Sequence, residues 1–113
     1  MIKKQNRLAQ DHKIKRVLHR GAVWTGRYFR VRALKGSQTR GASRLAVIVG
    51  KKISTKATVR NRIKRRTKAV FAPEMPKIDG YEFVVFPQKT VEEARFEVLV
   101  EDARICLRKL VSF

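Results

Sequence analysis

The chain predicts one small α+β domain, in the order helix, strands, helix, strand, helix. Three observations support that class. Apolar residues recur at helical spacing in three segments, and alternating or continuous apolar runs of strand length lie between them. The length of 113 residues leaves room for one core and no second domain. The hydrophobic share of 43% is near the globular norm, so the chain folds although 33% of it is charged.

Residues 1–10 are polar and basic and read as a flexible arm, which leaves 11–113 as the domain. A first helix is expected from Asp11 to Arg20, with Ile14, Val17 and Leu18 on one narrow face. Asp11 suits its N-cap, and Gly21 suits a left-handed end. Tyr28 to Leu34 alternates, with Phe29, Val31 and Ala33 on one face and Arg30 and Arg32 on the other. Arg44 to Gly50 is continuously apolar and reads as an inner strand. The polar stretch 35–43 between them reads as a flexible hairpin loop.

A second helix is expected from Lys56 to Ala72. On a helical wheel Val59, Ile63 and Val70 fall within about 40° of one another and mark the buried stripe. Arg60, Lys64 and Lys68 line the adjacent face, Arg62 and Arg65 lie beyond, and Arg66 borders the stripe. Residues 72–80 form a connector broken by two prolines. A third strand runs from Tyr81 to Phe86, entered through Asp79-Gly80 and ended by Pro87. Thr90 and Glu93 form a capping-box pattern before the last helix. Phe96, Leu99, Val100, Ala103, Leu107 and Leu110 supply its apolar face, with Glu97, Glu101 and Asp102 exposed.

Charge divides the chain. Residues 1–73 carry a net +21, residues 74–113 a net −2, and between Asp11 and Glu74 there are 19 Lys or Arg and no acid. Solubility does not require excluding every acid over such a length, since mixed signs solubilise as well. A polyanion is the implied partner, nucleic acid ahead of an anionic membrane or an acidic protein. No apolar run reaches the roughly 18–20 residues of a membrane span. The N-terminus lacks the apolar core of a signal peptide.

Catalytic chemistry finds little support. One cysteine and two histidines, His12 and His19, do not make a structural zinc site. Glu92-Glu93 and Glu101-Asp102 are expected on a helix surface and do not form a two-metal cluster. Cys106 has no base in view and reads as a small core residue. Gly50-Lys51-Lys52 lacks the upstream glycine and following hydroxyl of a phosphate loop. Asn61 inside the arginine run is either an incidental surface residue or a group that holds backbone or a nucleotide edge. The planar forks of Arg60 and Arg62 suit paired phosphate contacts. Trp24, the only tryptophan, reads as packing or loop structure, with RNA stacking as the other reading.

The string KKISTKATVRNRIKRRTKAVF over 51–71 closely resembles the signature of the bacterial ribonuclease P protein subunit. It matches at Lys51, Lys52, Ala57, Arg60, Asn61, Arg62, Lys64, Arg65 and Phe71. The similarity extends to Arg7-Leu8, the helix and glycine at 14–21, and the strands at 28–34, 44–49 and Glu82 to Val85. It implies a compact two-layer α-β-β-β-α-β-α domain with a left-handed β-α-β crossover, against the usual hand. It also implies a subunit that is non-catalytic by itself and works in a tRNA-processing endoribonuclease. There it binds the catalytic RNA and the 5′ leader of precursor tRNA, with magnesium held by the RNA.

The residues so assigned to the RNA subunit are Lys51, Lys52, Arg60, Asn61, Arg62, Lys64, Arg65 and Lys68. Those assigned to a leader cleft between first helix and sheet are Ile14, Leu18, Phe29, Arg30 and Arg32, with a core role for Phe29 as the other reading. The family often has Phe at Ile14 and Leu18, an aromatic at Arg32, and Arg at Lys68. Backbone contacts by Arg30 and Arg32 are therefore expected in place of leader stacking. The resemblance implies a bacterial cytoplasmic location and no obligate protein partner. A basic structural protein of the ribosome shares the charge and size, but gives no account of the Arg-Asn-Arg block. A nonspecific DNA-compacting protein is the third class.

Overall fold

The computed structural model describes residues 8, 11–36 and 43–111. Its elements run α1 (Asp11–Arg20), β1 (Ala22–Thr25), β2 (Phe29–Lys35), β3 (Arg44–Val47), α2 (Ala57–Phe71), β4 (Tyr81–Pro87) and α3 (Phe96–Leu110). The order is the α-β-β-β-α-β-α that the resemblance implies. The strand absent from the residue-level reading is β1. Its four residues are all exposed, so no alternation betrays them.

The sheet order is β1-β2-β4-β3. β2 is antiparallel to both β1 and β4, while β3 runs parallel to β4 through the α2 crossover. The hairpin expected between β2 and β3 does not form, because β4 inserts between them. The true hairpin is β1-β2. Residues 37–42 of the expected loop lie outside the described residues. So does the expected arm over 1–10 apart from Leu8, which is buried and donates its N–H to the Leu45 carbonyl at 2.8 Å. At that point the chain is held on the outer edge of β3.

Period-two alternation sends side chains into two cores. Phe29, Val31 and Ala33 of β2, Leu45 of β3, and Phe83 and Val85 of β4 pack with α2 and α3. Ala46 and Val84 point the other way, against Val17 of α1 and Leu8, with Ile14, Leu18, Leu34, Ile48 and Phe86 around them. α1 thus adds a partial third layer to the expected two. Within the larger core Phe29 meets Phe71 edge to face, with centroids 5.0 Å apart.

Several boundaries move for local reasons. Asp11 is the first residue of α1 and serves in its acidic first turn. Gly21 is not left-handed; a side chain there would meet the Val17 carbonyl oxygen at 2.5 Å and the Ala33 one at 3.0 Å. Gly80, with φ 72°, is the left-handed residue, and it turns the chain into β4. Residues Ala72–Lys77 continue α2 as a 3-10 segment despite Pro73 and Pro76. Thr90 belongs to a 3-10 turn at Lys89–Glu92, and α3 starts only at Phe96, without a side-chain cap.

Asp102 is not the exposed acid its sequence position suggests. It is 8% exposed, and its carboxylate accepts the N–H groups of Arg27 at 3.0 Å and Tyr28 at 2.9 Å. This latches the β1-β2 turn onto α3. Gly26 lets the turn approach, since a Cβ there would lie 2.8 Å from both the Asp102 carboxylate and Cys106 Sγ. Cys106 is the small core residue expected. Burial pushes its thiol up from 9.0 to about 12, and the Asp102 charge adds to the effect.

Replacing Asp102 by Ala strands two backbone donors and is expected to lower unfolding free energy by about 3 kcal/mol. Asp102→Asn keeps one acceptor and should lose about half as much in urea titrations. Folded Cys106 holds its proton more tightly than the unfolded chain does. Its share of stability is therefore complete below pH 9 and is lost as pH rises toward about 12. Cys106→Ala should flatten that part of the stability–pH curve.

Candidate nucleic-acid interface

α2 carries six Lys or Arg in fifteen residues and has neither an acid in its first turn nor a side-chain cap. Arg60/Lys64, Lys64/Lys68 and Arg62/Arg66 are like-charge neighbours one turn apart, each unfavourable by about 0.2–0.5 kcal/mol. Burial of Ile63, Thr67, Val70 and Phe71 offsets this and fixes the helix orientation. Val59, expected within the buried stripe, is only half-buried and packs against its edge. Thr67 adds a position that its polarity concealed; its hydroxyl donates to the Ile63 carbonyl at 2.8 Å.

Opposite the buried face, Thr58, Asn61, Arg62, Lys64, Arg65 and Lys68 line one shallow groove. Asn61, Lys64, Arg65 and Lys68 make no side-chain hydrogen bond or ion pair among the described residues. Arg62 is paired with Glu92 at 3.0 Å, which holds its fork beside the groove. Arg60 is placed differently from its neighbours. It is half-buried at the border of the core face and donates Nη1 to the Ser54 carbonyl at 2.8 Å. It therefore ties the 51–56 turn to α2. Arg66, on the other border, donates to the Ala94 carbonyl. Lys51 and Lys52 are exposed on the turn after β3.

The second surface lies where α1 crosses the sheet. Ile14 and Leu18 are half-buried against Val84 and Ala46. Arg16 reaches the nearly buried Glu82 at 2.6 Å and pins α1 to β4. Arg32 donates to the Leu18 carbonyl at 3.1 Å, satisfying an orphan acceptor at the end of α1. Arg30 is exposed on the same face, in register with the half-buried Phe86. Phe29, expected at this surface or in the core, does not face the surface. It points into the α2-α3 core and is fully buried, because its strand neighbours alternate faces. Phe86, Ile48 and Arg16 are the residues of this surface that residue-level reading missed. The Glu82, Val84, Phe86 alternation carried the signal for Phe86.

The fold that carries this basic ridge on α2 is found in known proteins. A ribonuclease P family model matches residues 2–111. The chain belongs to the ribonuclease P protein family. The ribonuclease P protein component of Pseudanabaena sp. is 30% identical over 110 residues, covering 96% of this chain and 94% of that protein. That of Streptococcus agalactiae is 32% identical over 98 residues, covering 87% of each. The Thermotoga maritima ribonuclease P protein superposes with a TM-score of 0.79 at 27% identity, covering 94% of this chain and 98% of that one. Ribonuclease P proteins are RNA-binding components of tRNA processing, which accounts for the polyanion that the charge requires.

Four of the carboxylates are already engaged within the protein. Glu82, Glu92 and Glu74 are each paired with Lys or Arg, and the Asp102 carboxylate is taken up by backbone donors. Among the described residues no three His, Cys, Asp or Glu converge on one point. No helix there is long and apolar enough to cross a membrane.

The contrast between Arg60 and Arg65 is measurable. Arg60→Ala should lower stability by about 1 kcal/mol through its lost bond to Ser54. Arg65→Ala should leave stability unchanged or raise it by about a few tenths of a kcal/mol, since it relieves repulsion from Arg62 and Lys68, three residues away on either side. Urea midpoints at low salt separate the two.

Proposed function

We propose that this chain is the RNA-binding subunit of a ribonuclease P holoenzyme that removes the 5′ leader of precursor tRNA. The observation that carries the reading is the ridge of Asn61, Lys64, Arg65 and Lys68, free of acidic partners, in a member of this family. The ridge docks on the catalytic RNA subunit, with Arg62 exchanging Glu92 for phosphate and Lys51 and Lys52 extending the contact. The cleft under α1 takes the leader. Arg30 reaches the leader backbone, and Arg32 and Arg16 hold the cleft's shape. Phe86 supplies the aromatic surface that Ile14 and Leu18 lack.

In this reading the protein contributes charge and position, and the bond is cut by the RNA with its own magnesium ions. The chain works in the bacterial cytoplasm and needs no further protein. A ribosomal role has no support from the family match.

Adding the chain to a bacterial ribonuclease P RNA and precursor tRNA at low magnesium should raise leader cleavage above that of RNA alone. No gain would overturn the proposal. In the same system Arg65→Ala should flatten the logarithmic salt dependence of RNA binding by about 0.7–0.9. An unchanged slope would return Arg65 to an ordinary solvated surface.

A further inference from the structure

We propose that Trp24 and Lys109 form a nucleotide site on the outer edge of β1. It takes one unpaired base of single-stranded RNA on the indole and the adjoining phosphate on the ammonium.

Trp24 is 37% exposed and belongs to neither core cluster. Among the described residues its strand is an edge of the sheet, and all four residues of that strand are exposed. The Lys109 ammonium lies 5.5 Å from the indole centroid. An exposed lysine–indole contact is weak, whereas a base stacked on an aromatic ring contributes more, and the freed ammonium then meets a phosphate. A second cation–aromatic pair lies on the same hairpin, where the Arg27 guanidinium sits 5.4 Å from the Tyr28 centroid.

The surroundings favour a polyanion. Arg20 and Arg27 flank β1 and are exposed, while Asp102 behind it is buried with its carboxylate engaged by two N–H groups. The Asp102 latch also holds the hairpin rigid, so little ordering is lost on binding. A second copy of the chain fits this edge poorly, because each copy carries a net +19. The site is distinct from the α2 groove, whose lining includes neither Trp24 nor Lys109; α3 packs on β1 and β2 as well as on α2, and α2 packs on β3 and β4. The inference requires only that the chain meets single-stranded RNA, and rests on neither the ridge nor the leader cleft.

Trp24 is the only tryptophan, so its emission reports on this edge alone. Titrating the full chain with a short oligoadenylate should quench that emission and shield the indole from acrylamide. Inorganic polyphosphate, which carries the charge without bases, should bind and do neither. Trp24→Leu keeps an apolar side chain without the π-face; it should bind oligoadenylate about tenfold more weakly and polyphosphate unchanged. Three results would overturn the site: no shielding at saturating oligoadenylate, equal quenching by polyphosphate, or equal loss for both ligands in Trp24→Leu. If that variant does not fold, the wild-type comparison decides alone. Leader cleavage is a separate readout, so failure here leaves the holoenzyme assay standing, and the reverse.

Discussion

Everything in this molecule depends on β4 lying between β2 and β3. Its backbone bonds β2 on one side and β3 on the other, and its side chains are divided between two cores. Phe83 and Val85 hold α2 and α3 on one face, and Val84 holds α1 on the other. Glu82, almost wholly buried, commits its charge to Arg16 and so fixes where α1 lies. Removing Arg16 would leave a buried carboxylate unpaired, a far larger loss than that of a surface ion pair. One central strand therefore sets both the pose of the basic helix and the position of α1.

The basic helix is a case of function working against local stability. Its like charges repel and its N-terminus lacks a cap, so in isolation it would be a poor helix. The core stripe holds it in place, and the repulsion persists in the free protein as a readiness to accept a polyanion. The acids of the chain are kept off most of the ridge. Glu82, Glu74 and Asp102 are engaged elsewhere, and only Glu92 reaches it, at Arg62.

Arginine identity alone does not distinguish a ligand-binding group from a structural one. Arg60, Arg32 and Arg66 each donate to a main-chain carbonyl at a helix or turn boundary, whereas Arg30 and Arg65 are exposed. The first set closes main-chain acceptors, and the second makes no side-chain hydrogen bond or ion pair among the described residues. The same applies to the acids. Asp102 looks like one more solvated residue of an amphipathic helix, yet it latches the β1-β2 turn from the other end of the chain.

The sequence by itself determined the helices α1 and α2, the strands β2, β3 and β4, the burial of Ile63, Val70 and Cys106, and the need for a polyanion. These follow from short-range periodicity and from summed charge, both present in the linear order of residues. The Arg-Asn-Arg block added the family. Only the tertiary structure decided that β4 separates β2 from β3, that Phe29 faces the α2-α3 core and Phe86 the α1 side, and that Arg60 bonds the Ser54 carbonyl. It also revealed β1, whose exposed residues carry no alternation, and the delayed start of α3. These features depend on contacts between residues far apart in sequence, where one strand's choice of neighbour reassigns the surroundings of every side chain along it.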